Sequence, residues 1–142
     1  MLSKPACLLF CAALLAGTFS GCGETPIRRA AVHGSVTFND EPIEDGSIVF
    51  VPIKETRGQP VGATITGGEY SLDALNGPAI GPNKVEFYAN RKTGKTVKGA
   101  FPAPASIEQV TQIIPKEFNK DSETMFEVAD GENEFDYDVK GK

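Results

Sequence analysis

Apolar and polar residues alternate with a period of two along much of this chain, which is the pattern of strands that bury one face. In the first such stretch Val32, Val36 and Phe38 alternate with polar residues, and Val85 and Phe87 do so in a later one. Segments rich in glycine and proline separate these stretches, and no long segment has the 3.6-residue period of a helix. The alternation therefore predicts a chain built from short strands.

Seven strands follow from this pattern, and Gly67-Gly68 is predicted to be a two-residue hairpin turn. Asp130-Gly131 is predicted to lie in the turn between the last two strands. The strand at 47–53 is expected to be buried on both faces, because β-branched residues dominate it. Residues 91–110 are predicted to be a long loop with at most a short helical turn over 105–110. The predicted strands are 32–39, 47–53, 61–66, 69–75, 83–90, 124–128 and 134–139.

The N-terminal 21 residues predict a signal peptide. Lys4 precedes 14 uncharged residues, from Ala6 to Phe19, whereas a transmembrane helix needs about 20 apolar residues. Phe19-Ser20-Gly21-Cys22 resembles the bacterial lipobox, with Phe19 in place of the commoner leucine. The resemblance implies that the Cys22 thiol receives a diacylglyceryl group, that residues 1–21 are removed, and that acyl chains anchor the protein durably. The alternative is an ordinary secretory signal followed by an incidental cysteine.

The remaining chain is long enough for one domain. Residues 22–142 number 121, with 22–30 expected to be a lipidated linker and 31–142 a single all-β domain. Seven short strands without a long helix predict an antiparallel β-sandwich. The other two cysteines, Cys7 and Cys11, lie in the signal peptide, so no disulfide or thiolate metal site is expected in the domain.

Residues 31–90 carry a further resemblance. The stretches "VHGSVTFNDEPIEDGSIVFVPI", "GATITGGEYSL" and "GPAIGPNKVEF" resemble the transthyretin-like (prealbumin-like), carboxypeptidase-regulatory-type β-sandwich, and the whole chain looks like small bacterial lipoproteins that carry one such domain. We expect Gly34 and Gly46 to be positions where backbones approach closely or φ is unusual, and the buried Tyr70 ring to keep its hydroxyl hydrogen-bonded. The ureide hydrolase of this fold needs several histidines and a C-terminal Tyr-Arg-Gly-Ser, which this chain lacks, so that activity is not implied.

No catalytic set is found in the sequence. His33 is the only histidine and is predicted to face outward, so neither a zinc site of the usual kind nor a Ser-His-Asp triad is expected. Nucleotide-binding glycine motifs are absent. Glu134, Asp136 and Asp138 have the hard oxygen atoms that calcium prefers. On one strand, however, they would form a row spaced about 6.6–6.8 Å apart, which is too wide for one ion unless loops fold in. We predict no catalytic residue, metal or cofactor.

The charges indicate the partners that this chain can bind. Residues 22–142 have 13 basic and 19 acidic side chains, a net charge of −6, which favours neither nucleic acid nor an anionic membrane surface. Arg91, Lys92, Lys95 and Lys98 nevertheless cluster, and Tyr88 is predicted to face outward nearby. These five side chains are the candidate interaction residues.

Together these features predict a non-enzymatic lipoprotein that is held on the outer side of a bacterial cell membrane by the lipid on Cys22. It faces the periplasm or the cell surface, and Gly23 after the cysteine favours the outer membrane, because an aspartate there marks inner-membrane retention in some bacteria. An envelope protein would bind an edge strand or the cationic cluster. The alternatives are a small-ligand or calcium-binding domain, and an unrecognised hydrolase.

Overall fold

The computed structural model describes residues 25–100, 102 and 106–141. The predicted signal peptide and Cys22 lie outside these residues. The described part is all-β and mostly antiparallel, as the alternation predicts, but it has ten strands where seven are predicted. No helix in it is long and apolar enough to cross a membrane. The strands are β1 (Ala31–Phe38), β2 (Glu41–Pro42), β3 (Asp45–Pro52), β4 (Val61–Thr66), β5 (Glu69–Leu72), β6 (Gly81–Lys98), β7 (Ser106–Gln112), β8 (Met125–Val128), β9 (Glu132–Glu134) and β10 (Tyr137–Val139), and one 3₁₀-helix covers Lys116–Phe118.

The strands pair in two groups that are joined by a tight turn. In one group β3 lies between β4 and β6, and both β7 and β8 pair with β6. In the other group β1 pairs with β2, β5, β9 and β10. The turn is the predicted Gly67-Gly68, where both residues have positive φ. Within the described residues the two groups share only one residue pair, Thr66 with Glu69.

The C-terminal strands on either side of the predicted turn do not pair with each other. Asp130 and Gly131 do lie between two strands, but β8 pairs with β6 whereas β9 and β10 pair in parallel with β1. The segment therefore crosses from one group of strands to the other. Alternation predicts where strands occur, but it does not predict which neighbour completes each ladder.

The predicted loop at 91–110 is wrong. β6 runs without a break from the body of the domain to Lys98, and the second half of the segment returns as β7. The helical turn predicted over 105–110 is likewise replaced by strand over the described residues 106–110. We call residues 90–98 and 106–112 the arm.

The core lies between the two groups of strands. Phe50 of β3 and Phe87 of β6 are fully buried. Phe87 stacks on Tyr137 of β10 with 4.8 Å between ring centroids, and Phe50 contacts Tyr70 of β5 at 6.2 Å. Aromatic pairs at such distances add to the stabilisation that burial provides.

The prediction for the strand at 47–53, which is β3 in the structure, is wrong in part, because only one face of β3 is buried. Ile48 and Phe50 are buried, whereas Val49 and Val51 are half-buried. The strand nevertheless lies centrally between β4 and β6. A run of β-branched residues therefore does not by itself show that both faces are covered.

Two glycines and one tyrosine behave as the sequence predicts. A Cβ atom at Gly34 would lie 2.2 Å from the Phe135 carbonyl oxygen, and one at Gly46 would lie 2.5 Å from the Tyr88 carbonyl oxygen. The buried Tyr70 donates its hydroxyl hydrogen to the same Phe135 oxygen, at 2.8 Å. Burial raises the pKa of Tyr70, and the charge of Asp136 raises it further. The Tyr70 hydrogen bond ties the link between β9 and β10 to β5, and a hydrogen bond of 2.9 Å from the Phe135 backbone to the His33 carbonyl oxygen ties it to β1.

Candidate interaction surface

The arm is an exposed two-stranded ribbon that extends beyond the body of the domain. Pairing of β3 with β6 ends at Gly46 and Ala89, and the arm begins at the next residue of β6. Every described residue from Asn90 to Lys98 and from Ser106 to Gln112 is exposed. Val97 and Ile107 form a cross-strand pair, and both are almost half exposed.

One edge of the arm has free backbone groups. β7 pairs with β6 on one side, and within the described ranges no strand lies on its other side. β7 is seven residues long and contains no inserted residue. The irregularity in the ladder lies in the opposite strand, at Thr93–Lys95 of β6. There Gly94 has a φ of 71°, and the Thr93 hydroxyl donates to the Gln109 carbonyl oxygen.

All four predicted cations belong to the β6 strand of the arm. Lys92 pairs with Glu108 of β7 at 3.0 Å, and this hydrogen bond raises the pKa of Lys92. Arg91, Lys95 and Lys98 form no salt bridge with a residue that the structure describes. The cluster is therefore held on a ribbon, not on the loop that the sequence predicts.

Tyr88 does not belong to the arm. It lies on the outward face of β6, within the body of the domain, and is half-buried. Its hydroxyl donates to Glu86 Oε2 at 2.8 Å, and Glu86 Oε1 also pairs with Lys84 at 2.6 Å. Burial and this hydrogen bond raise the pKa of Tyr88 to about 12. Its hydroxyl is therefore engaged within the chain.

A groove lies at the base of the arm. It encloses about 490 Å³, which is within the range of roughly 300–1,000 Å³ for ligand pockets. Its apolar lining includes Ile43 and Ala89, with Glu44 and Asp45 contributed by one side and Arg91 by the other. The groove thus joins apolar surface to both signs of charge, and the sequence pattern does not predict it.

The acidic C-terminal residues do not form the row predicted as an alternative calcium site. Asp136 Oδ1 accepts hydrogen bonds from the Ser35 backbone and hydroxyl, which lower the pKa of Asp136. The Asp138 carboxylate accepts from Lys140, Thr37 and the Asp40 backbone. Among the residues described, no group of three or more His, Cys, Asp or Glu is placed to hold a metal ion.

His33 faces outward, as predicted, but the sequence gives no sign of its neighbours. It pairs with Ser71 of β5 on one side and with Glu134 of β9 on the other. A hydroxyl, an imidazole and a carboxylate thus follow one another across three strands, in a shallow depression of about 700 Å³. All three residues are exposed, and the structure shows no hydrogen bond that joins them.

Comparison of the chain with protein families, with curated proteins and with solved structures finds no match. The resemblance to transthyretin-like domains therefore stays a prediction from the sequence. The function of the chain has to be argued from the geometry of the arm and of the body.

Proposed function

We propose that this chain is a non-enzymatic, lipid-anchored protein-interaction module of a bacterial envelope, and that the arm is its binding surface. The arm carries the proposal, because an exposed strand with a free edge is a template for another chain. The lipobox-like Phe19-Ser20-Gly21-Cys22 supports the anchor. The cationic cluster supports a partner with acidic residues.

The domain that presents the arm is proposed to be a transthyretin-like β-sandwich. Two observations support it: among the described residues the two groups of strands share a single residue pair, and aromatic side chains of one group contact those of the other, Phe50 with Tyr70 and Phe87 with Tyr137. Two sheets packed in this way would each bury one face, which matches the period-two alternation.

The β7 edge lacks the protection that exposed edges usually have. Natural proteins guard such edges with proline, lysine, bulges or short length. The β7 sequence "SIEQVTQ" has no proline or lysine, has one charged residue, and is seven residues long. Its β-branched residues, among them Ile107, Val110 and Thr111, favour an extended partner on this edge.

The charges of the arm favour an acidic partner. The arm has four cations and one carboxylate, Glu108, although the whole chain has a net charge of −5. An acidic strand beside β7 would be attracted by the arm and repelled by most of the body. Such a charge distribution orients an encounter and accelerates association at low ionic strength.

A photo-crosslinking residue at Gln109, introduced in cells with their native envelope, tests the binding surface. We expect a discrete protein adduct from position 109 and none from exposed Thr64 of β4. Reversing Arg91, Lys95 and Lys98 to glutamate should abolish the adduct. The matched control replaces three cations of the body by glutamate in the same way, namely Arg57, Lys116 and Lys120. An adduct that survives the first reversal, or that is lost in both, contradicts the proposal.

Intact mass of the protein from native membranes tests the anchor. A mass equal to residues 22–142 plus a diacylglyceryl and an acyl group is expected, and Cys22→Ser should release a folded domain from the membrane fraction. An unmodified mass would show that Cys22 is a free thiol on a secreted domain.

The Ser71–His33–Glu134 row favours a hydrolase as the second candidate, because nucleophilic catalysis uses this order of groups. Hydrolysis of p-nitrophenyl acetate tests it. A surface histidine alone can cleave this ester, so loss of turnover in His33→Gln is not decisive. The hydrolase requires equal loss in Ser71→Ala, and unchanged turnover in that variant rejects it.

A further inference from the structure

Leu75 is the most exposed large apolar residue of the described chain, with 86% of its surface accessible. Its loop has a defined conformation, because Asp73 Oδ1 accepts hydrogen bonds from the backbone of Leu75 at 2.9 Å and of Asn76 at 2.8 Å. Asn76 Nδ2 donates to the same carboxylate. The loop thus holds an apolar side chain out in solvent.

The Leu75 loop packs against the N-terminal segment of the domain. Arg29 Nη1 donates to the Gly77 carbonyl oxygen at 2.9 Å, and the Ala30 backbone donates to the Pro78 oxygen at 3.1 Å. A Cβ atom at Gly77 would lie 1.8 Å from the Ala30 oxygen, so the two backbones are in direct contact. Leu75 is therefore fixed beside the point where the chain enters the domain.

That entry point lies close to Cys22 along the chain. Contacts with the body begin before residue 31, since the Ile80 backbone donates to the Arg28 carbonyl oxygen at 3.0 Å. Six Cα–Cα steps separate Cys22 from Arg28, and they span at most about 22 Å. Ile27, another exposed apolar residue, lies at the same end.

The arm leaves the domain from the opposite end. Pro52 pairs with Asn83 near the entry point, whereas Gly46 pairs with Ala89 where the arm begins. Nine residue steps along the strand separate Gly81 from Asn90, a length of about 30 Å at ~3.4 Å per step. A membrane in contact with the end where the chain enters the domain would therefore leave the arm accessible to a partner.

We propose that the end formed by Ile27 and the Leu75 loop lies on the lipid surface, with the Leu75 side chain in the membrane interface and the arm directed away from it. This inference rests on the proposed lipid at Cys22. One exposed leucine is common in proteins and binds membranes weakly. Next to a short tether, however, it is held at a high local concentration near the bilayer, so its insertion would orient a domain that the lipid already holds.

Tryptophan fluorescence tests the orientation, because the chain has no tryptophan. Leu75→Trp and Val110→Trp each place a single reporter, one on the loop and one on the arm, at exposed positions where the fold tolerates it. The lipidated variants are reconstituted into phosphatidylcholine vesicles with brominated acyl chains, which quench tryptophan in the bilayer. We expect several-fold stronger quenching at position 75 than at position 110. Equal quenching at the two positions overturns the proposal.

A second quencher separates lipid from protein at this end. Acrylamide in the aqueous phase should quench position 110 more than position 75. Protection of position 75 from acrylamide without quenching by brominated lipid would show that a protein or a second copy of the chain covers Leu75, and this result also overturns the proposal.

The intact mass of the native protein shows whether Cys22 carries a lipid, so it distinguishes failure of the proposed anchor from failure of the proposed orientation. If the native protein carries no lipid, Cys22 of a chain with Cys7→Ser and Cys11→Ser is coupled to a maleimide phospholipid in the same vesicles. Quenching at position 75 would then support the orientation of a tethered domain although the cell does not lipidate it. Its absence would overturn the orientation independently of the native anchor.

Discussion

Replacement of Gly34 by alanine tests how the C-terminal strands are held against β1. The added Cβ atom would lie 2.2 Å from the Phe135 carbonyl oxygen and 2.7 Å from its carbon, both backbone atoms. A flexible side chain could rotate away from the methyl group, but these backbone atoms cannot. The link between β9 and β10 must therefore move away from β1.

The expected cost has three parts. Forcing a methyl group into a packed site costs roughly 1–3 kcal/mol. The Phe135 oxygen also accepts the hydrogen bond from the buried Tyr70 hydroxyl, and weakening it adds about 1 kcal/mol. Alanine restricts the unfolded chain and offsets about 0.4–1 kcal/mol. We expect a loss of roughly 1–3.6 kcal/mol in the free energy of unfolding, and its central value of about 2 kcal/mol corresponds to about 8–16 °C in Tm.

Urea unfolding followed by circular dichroism measures this loss. Gly67→Ala is the matched control, because its Cβ meets nothing within 4 Å and only its positive φ disfavours alanine. Since Gly34 and Tyr70 act on the same oxygen, Gly34→Ala and Tyr70→Phe should couple by at least ~0.5 kcal/mol in a double-mutant cycle. A Gly34→Ala variant no less stable than Gly67→Ala, or strictly additive with Tyr70→Phe, refutes the reasoning.

Two predictions concern the acidic C-terminal residues. Hydrogen bonds from Lys140 and Thr37 lower the pKa of Asp138 from 3.8 to about 2. Its contribution to stability is therefore present above about pH 4 and lost as the pH falls through about 2, so Asp138→Asn should flatten the stability curve in that window. Millimolar calcium should leave the Tm of both the wild-type chain and Asp136→Ala unchanged, because Asp136 is already bonded to Ser35. A calcium-dependent rise that Asp136→Ala abolishes would instead support the calcium-binding alternative.

Short-range features of the fold follow from the sequence. The Gly67-Gly68 turn, the inward side of Val85 and Phe87, and the role of Tyr70 each depend on a few neighbouring residues. Alternation and turn chemistry act over such distances, so they can be recognised in a single sequence.

The arm and the C-terminal pairing could not be predicted in this way. The residues of the arm do not alternate, because neither face of the ribbon is buried and polar side chains can occupy both. Arg91 and Lys92 consequently resemble loop residues, although their backbones pair with Thr111 and Val110. Parallel pairing of β10 with β1 joins residues about 100 positions apart, and no local signal encodes it.

The same absence of a buried face favours a role in binding for the arm. A solitary two-stranded ribbon is at best marginally stable in water. This one continues a strand of the core, and Gln112 Oε1 ties its base by accepting from the Ala89 and Ile114 backbones. All of its described residues are exposed. A strand added to β7 would supply the missing pairing, so binding of a partner and ordering of the arm should be coupled.

Backbone amides of β7 should then exchange hydrogen quickly in the free protein and slowly in the complex, whereas those of β3 should be protected in both. Slow exchange along β7 in the free protein would show that the arm is already stable without a partner. This result would contradict the coupling between partner binding and ordering of the arm.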